Sequence, residues 1–257
     1  MVPCAPNVTM PTTLHITNRR WTSKTSLLHT LSEVETSGWY TRSLYLRPES
    51  VTDPEKPHNL SVAAVLSQVG GSETGFALFL GDEHTVAVRP PFPISRDVDA
   101  DGPDVAALRE LLDARLIIGV VLLRLGRYAV GVLEGDRLVA TKTGSRHVKS
   151  RHRAGGSSQR RFERSRERLI RELFDKTCEV TGNVFGAHLA RMDYVLLGGE
   201  RQTLGGFVKR CRLMQDLAPK TLSRRLTVDR PGQAALDGIA AEVWKSEVVT
   251  LGPVAGG

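Results

Sequence analysis

Cysteine is scarce in this sequence. The 257 residues hold three, Cys4, Cys178 and Cys211, far apart, with no C-x-x-C pair and no histidine at ligand spacing. Such spacing suggests neither a zinc site nor a disulfide framework, and a reducing cytoplasm is the expected compartment. Long apolar runs are missing too. Nothing approaches the roughly 18 consecutive apolar residues that would span a bilayer, and the start, MVPCAPNVTMPTTLHITNRR, lacks the apolar core of a signal peptide. The chain is expected to be unexported and to have no membrane partner. Acidic residues, finally, are nearly absent from one stretch. Between residues 142 and 171 eleven Lys or Arg stand against Glu163 and Glu167 alone, a local +9 in a chain whose total is +7, so the remainder is net −2. All of the excess positive charge belongs to one segment, which points to a polyanionic partner.

The length suits one large domain or two small ones. Residues 1–20, polar and rich in Pro and Thr, are expected to be a disordered tail or to precede a start at Met10. Residues 21–103 read as an N-terminal α+β extension. It should contain helices over 26–34 and 61–69, a strand over 43–46, a hairpin pairing 76–80 with 85–88 about Gly81-Asp82, and a linker over 97–104. A helix opening at Pro103 or Asp104 and ending at Arg115 begins the second region, 104–254.

In that region 117–123 is continuously apolar, and 128–133 and 138–142 follow across turns at Gly126 and Gly135-Asp136. Two tight turns between three β-rich runs predict an antiparallel meander. A basic loop, 143–159, then enters a long helix. Its apolar pairs Leu169/Ile170, Leu173/Phe174, Thr177/Cys178, Val180/Thr181 and Val184/Phe185 recur at the helical period and mark a core-facing stripe. From Gln159 to Arg168 the one apolar residue is Phe162. The first two turns should therefore project beyond the body with arginines on several faces. A strand over 194–197, a helix over 201–212, a strand over 222–228, a helix over 233–244 and a strand over 247–251 complete the order.

Three strands followed by αβ units is the order of an α/β, ribonuclease H-like mixed sheet. Nucleases on such a scaffold hold two metal ions with several carboxylates, because both oxygens of the scissile phosphodiester need compensating charge. The strand 117–123 contains no acid, the long helix starts with cations, and Asp193 reads as a helix-to-strand turn residue. Neither a metal nor a cofactor is expected.

The run Thr141-Lys142-Thr143-Gly144, a basic loop, Arg153-Ala154-Gly155-Gly156-Ser157-Ser158-Gln159-Arg160-Arg161-Phe162-Glu163-Arg164 and then a long helix resembles the release-factor-like peptidyl-tRNA hydrolases of ribosome quality control, in particular their actinobacterial VLRF-type branch. That group is similar to the middle domain of eukaryotic and archaeal class-one release factors. The resemblance is strongest over 120–175 and extends to about 251. It implies that Gln159 is the catalytic residue, that Gly155 and Gly156 are its hinge, and that Ser157 and Ser158 help to position it. It further implies work at the peptidyl transferase centre of the large ribosomal subunit on the ester joining a nascent peptide to tRNA, by a monomer, with no DNA partner. RNA contacts fall to Lys142, Arg146, Lys149, Arg151, Arg153, Arg160, Arg161, Arg164 and Arg168. Where release factors have Gly-Gly-Gln, this chain has two serines between glycine and glutamine.

Plainer readings stand beside these. A Gly-Gly-Ser-Ser stretch serves elsewhere as a linker, and the arginine run could be a solvated helix start, although cations there oppose the helix dipole. His147 and His152 are phosphate or base contacts, or simply exposed. Gly198-Gly199 is a phosphate cradle or a strand-to-helix turn, and Lys209, Arg210 and Arg212 are a second patch or face water. Besides the hydrolase, a noncatalytic ribosome- or structured-RNA-binding protein and a nuclease are the functional alternatives.

Overall fold

The computed structural model of the chain describes residues 14–52, 60–146 and 157–253. In chain order the elements begin β1 (Leu14–Thr22), α1 (Lys24–Thr36), β2 (Arg42–Leu46), α2 (Pro48–Thr52), α3 (Leu60–Val69), β3 (Phe76–Leu80), β4 (Thr85–Arg89), β5 (Val98–Asp101) and α4 (Ala106–Asp113). Then come β6 (Ile117–Arg124), β7 (Arg127–Glu134), β8 (Arg137–Ser145) and the 29-residue α5 (Ser157–Phe185). The remainder is β9 (Tyr194–Gly199), α6 (Arg201–Arg210), α7 (Arg212–Asp216), β10 (Thr221–Leu226), α8 (Gln233–Asp237), α9 (Ile239–Val243) and β11 (Ser246–Pro253). The chain packs as two units, one of residues up to Leu112 together with those from Lys245 onward, the other Asp113–Trp244. Each is a mixed α/β unit built on its own sheet. Among the described residues no helix is long and apolar enough to cross a membrane.

The first unit holds a six-stranded sheet in the order β1-β11-β4-β3-β2-β5, antiparallel throughout. Its middle strands are apolar on both faces, the signature of a sheet covered on both sides. Leu44, Leu46, Phe76, Leu78 and Ala87 share one face with Val62, Val65 and Val69 of α3. Tyr45 and Phe79 occupy the other, their rings edge-on with centroids 6.3 Å apart.

Three expectations are corrected here. Residues 14–20 are not a tail but most of β1, an edge strand whose side chains stay largely exposed. It is held by its backbone ladder to β11 and by Gln68 Nε2 donating to the Leu14 carbonyl at 2.9 Å, neither of which leaves an apolar period to read. The expected linker 97–104 contains β5, another exposed edge strand, clamped to β2 by Arg42 donating to Asp99 at 2.7 and 2.5 Å. The final strand, expected to extend the second region's sheet, inserts between β1 and β4 instead. Its apolar pattern signals burial, and which sheet buries it is a long-range choice. Glu247 helps to make it: it lies opposite Arg89 of β4, ion-pairs with it, and is itself 5% exposed.

The second unit holds a five-stranded sheet in the order β10-β9-β6-β7-β8. β6, β7 and β8 are the expected antiparallel meander, and β9 and β10 add in parallel on the other side of β6. Gly126 and Gly135 make the two turns with φ of 95° and 63°, which side chains disfavour. One face carries α5, α6 and α7 over Val121, Leu123, Val130 and Val132. On the other face Leu236 of α8 rests against Gly131. Two helices are shorter than expected. The run 201–212 breaks at Cys211, which is extended (φ −90°, ψ 107°), and 233–244 breaks at Gly238 into two five-residue helices.

Replacing Glu247 by Gln would leave the Arg89 guanidinium, half-sunk and bonded to the Val69 and Gly71 carbonyls, without its counter-charge. Breaking a buried pair costs about 3–5 kcal/mol, and the retained carbonyl bonds soften this to about 2–3 kcal/mol. Urea unfolding of Glu247→Gln against the parent chain measures it.

Candidate functional site

The approach to the site is built on β7 and β8. Gly144 of β8 faces Tyr128 of β7, and a Cβ at Gly144 would lie 2.3 Å from the Tyr128 hydroxyl, so the phenol end of the ring packs against bare backbone. The last rung closes with Arg146 N–H donating to the Gly126 carbonyl at 2.9 Å. Lys142 and Arg146 are both exposed. His147, Lys149, Arg151, His152, Arg153, Gly155 and Gly156 lie outside the described residues.

The expected loop 143–159 is shorter at both ends. The strand runs through Ser145, and α5 already begins at Ser157, so Ser157, Ser158 and Gln159 form its first turn. Nothing in Ser-Ser-Gln-Arg-Arg breaks a helix, and the Gly155-Gly156 pair just ahead is the natural stop. The first turn of any helix leaves its N–H groups without intrahelical acceptors. The Gln159 N–H is one of them.

From Ser157 to Glu172 no described side chain is buried; the first buried residue is Leu173. Those sixteen residues correspond to about 24 Å of helix. Arg160, Arg161 and Arg164 are exposed and have no hydrogen-bond or ion-pair partner among the described residues. Arg168 differs, sharing an exposed i,i+4 ion pair with Glu172 at 3.7 Å. Phe162, 48% exposed, is the apolar exception among the first twelve residues of the helix.

Below Leu173 the helix is fixed. Leu173, Phe174, Thr177, Val180, Thr181 and Phe185 are buried, and the Thr177 and Thr181 hydroxyls each donate to the carbonyl four residues back at 2.8 Å. Phe185 occupies the place of a side chain at Gly119 in β6, where a Cβ would meet its ring at 2.6 Å. Phe174 packs edge-on to Phe207, and Gly206 leaves room for its ring.

A disulfide joins Cys178 of α5 to Cys211 between α6 and α7, with Cα atoms 5.4 Å apart, against the expectation that the cysteines are unpaired. The partners are 33 residues apart in sequence, and only the packing of α5 against α6 brings them together. Arg210 donates to Asp175 at 2.5 and 2.7 Å, and Arg212 pairs with Asp216 at 3.0 Å. Two of the three cations of the expected second patch are thus engaged. Asp193 also serves structure: its carboxylate accepts from the Ile117 N–H at 2.7 Å, and its own N–H donates to the Ile117 carbonyl at 2.9 Å, locking β9 beside β6.

A five-stranded mixed sheet bears a long helix with a cationic start and Gln159 in its first turn, and the family match over this unit makes the chain a release-factor-like, translation-associated protein. Residues 117–249, just over half of the chain, match the Actinobacteria/chloroflexi VLRF1 release factor family, and the chain belongs to that family. It is also similar to peptide chain release factor subunit 1 of Methanopyrus kandleri, 27% identical over 162 residues, which cover 62% of this chain and 38% of the relative. The corresponding factor of Archaeoglobus fulgidus is 30% identical over 115 residues, 45% of this chain and 28% of the relative. The chain therefore spans well under half the length of these curated relatives. Among solved structures, the archaeal translation termination factor aRF1 aligns with 87% of this chain and 73% of its own at 20% identity and a TM-score of 0.37. Archaeoglobus fulgidus Pelota aligns with 87% and 64% at 10% identity and a TM-score of 0.30.

The Arg210 hydrogen bonds hold the Asp175 carboxyl below its ordinary value. A depressed carboxyl stabilises the fold above its unfolded pKa, about 3.9, and loses that contribution as pH falls through the folded value. Asp175→Asn should therefore lower thermal stability modestly at pH 7, and the difference should vanish well below pH 4. Melting curves of both proteins across pH 2.5–7 give the readout.

Proposed function

We propose that this chain is a cytoplasmic peptidyl-tRNA hydrolase of ribosome quality control, acting as a monomer at the peptidyl transferase centre of the large ribosomal subunit to free stalled nascent chains. Asp113–Trp244 is its catalytic domain, of ribonuclease H-like, release-factor middle-domain type. A meander extended by two parallel strands supports that reading of the fold. The observation that carries the function is the position of Gln159: the first turn of a helix whose leading sixteen residues have no described side chain buried and include three unpaired arginines.

The reaction adds a water oxygen to the carbonyl carbon of the peptidyl ester and breaks its bond to the tRNA 3′ oxygen, which departs with a proton. An amide does not titrate near neutral pH, so the Gln159 side chain orients water by hydrogen bonding and takes no proton from it. Its backbone N–H, lacking an intrahelical acceptor and set at the positive end of the helix dipole, can donate to the oxygen that gains charge. The family resemblance gives the tRNA's terminal 2′ hydroxyl the part of relaying that proton from the water to the 3′ oxygen, itself ending unchanged. Cations at a helix start are unfavourable in isolation, and the RNA phosphates would remove that penalty at Arg160, Arg161 and Arg164 while adding a salt-dependent attraction. In a reducing cytoplasm Cys178 and Cys211 would be adjacent thiols, with the apolar packing of α5 unchanged around them.

Gln159→Ala should slow peptide release from purified large-subunit complexes carrying peptidyl-tRNA by about 10²- to 10³-fold, the usual effect of deleting one positioned donor, while ribosome association persists. Release at the parent rate would refute the assignment and leave a binding protein.

A further inference from the structure

The arginines outside the arm are not spread evenly over the second unit. β6, β9 and β10 run parallel and end together, with Leu123 beside Gly199 and Leu226 beside Gly198. The β6–β7 turn and the end of β8 lie at the same end of the sheet, since Arg124 pairs with Arg127 and Arg127 with Ser145. Arg124, Arg127, Arg146, Arg201 and Arg225 gather there, and among the described residues none has a side-chain hydrogen bond or ion pair. Fewer stand at the opposite end, where Arg137 pairs with Glu134 and the exposed Arg115 and Arg191 have no side-chain partner among the described residues.

An open cleft of about 570 Å³ lies at this end, between the tips of β6, β9 and β10. Arg124 and Arg225 are its cations, and Thr227 and the exposed, apolar Leu125 also line it. Its acid, Glu200, accepts a hydrogen bond from Thr203 Oγ1 at 3.2 Å. The floor is bare backbone: Gly199 has φ 133°, and a Cβ there would fall 2.0 Å from the Leu123 carbonyl oxygen. In open α/β sheets, the crevice beyond the carboxyl ends of parallel strands is where ligands settle. Two unpaired guanidinium groups beside such a crevice suit a phosphate, which arginine holds bidentately.

We propose that this cleft binds the phosphodiester backbone of structured RNA, as a second contact beside the arm. Two strand spacings, about 10 Å, separate β6 from β8, whose end leads into the arm. One RNA helix can thus engage both, through its backbone and shape, as double-stranded RNA is usually read. Leu125 offers an apolar lip for a ribose. The inference rests on the reading of the chain as a ribosome-acting protein for its partner class, but its chemistry is phosphate binding and does not depend on ester cleavage.

Fluorescence anisotropy with a labelled RNA hairpin, titrated with the full chain from 50 to 200 mM KCl, tests it. The pair Arg124→Glu/Arg225→Glu should weaken binding at least tenfold and lower the slope of log affinity against log salt by about 2, one per lost phosphate contact. The pair Arg124→Gln/Arg225→Gln should fall between it and the parent, and Arg137→Glu should bind as the parent does. Neither arginine has a side-chain hydrogen bond or ion pair among the described residues, so melting temperatures should not change. Unchanged RNA affinity in the charge-reversed pair, with its melting temperature intact, would overturn the proposal. So would displacement of RNA from the parent chain by millimolar inorganic phosphate at constant ionic strength, which would mark a small-anion site. A chain that binds RNA through this cleft yet releases no peptide would refute the hydrolase reading and keep this one.

Discussion

Everything distinctive about the second unit depends on where α5 stops being buried. Its C-terminal half is pinned by Leu173, Phe174, Thr177, Val180, Thr181 and Phe185, with the Phe185 ring seated on Gly119 of β6. Its N-terminal half, from Ser157 to Glu172, has no fully buried side chain among the described ones, and only near its end does Ile170 begin to pack against the core. A helix anchored along half of its length transmits that anchoring to its free end, because the backbone hydrogen-bond ladder is continuous. The backbone at the start of α5 is thus oriented by packing that begins further along the helix. The Asp175–Arg210 pair and the Cys178–Cys211 contact reinforce the anchored half at two points on the face toward α6 and α7.

Charge is arranged to match. In the first unit the cations of Arg42, Arg47, Arg89 and Arg109 each meet a carboxylate, and Glu247 is drawn into the sheet by such a partner. In the second unit the arginines of the first turns of α5 and of one sheet end meet no carboxylate among the described residues. Unpaired guanidinium groups at such density repel one another and contribute nothing to folding. Their arrangement makes sense as a surface for a polyanion, whose phosphates would neutralise them and release condensed counterions.

Much of this was legible in the sequence because it is written locally. The meander from β6 to β8 follows from apolar runs broken at Gly126 and Gly135, and the stripe on α5 from residues recurring at the helical period. The candidate glutamine and its arginines stand in one contiguous segment. What could not be read is non-local. Strand β1 has no buried period, so nothing in its side chains announces a strand; the β11 backbone makes it one. Strand β11 shows that it is buried but not between which neighbours. Cys178 and Cys211 carry no spacing signal, since α5 and α6 must pack before the two meet. Arg124 and Arg225 are a hundred residues apart, and the cleft between them exists only once β9 and β10 lie parallel to β6.

The sequence by itself determined the identity and local setting of the candidate segment: a glutamine two serines after a glycine pair, a cationic helix start, and a core stripe that begins only further along. Hydrophobic periodicity and charge are properties of neighbouring residues, so a linear reading reaches them. Tertiary structure alone decided that the chain's last strand completes the first sheet, that two distant cysteines touch, and that scattered arginines converge at one sheet end. Each depends on which surfaces bury one another, and the apolar pattern of a strand or helix states the need for burial without naming the partner that meets it.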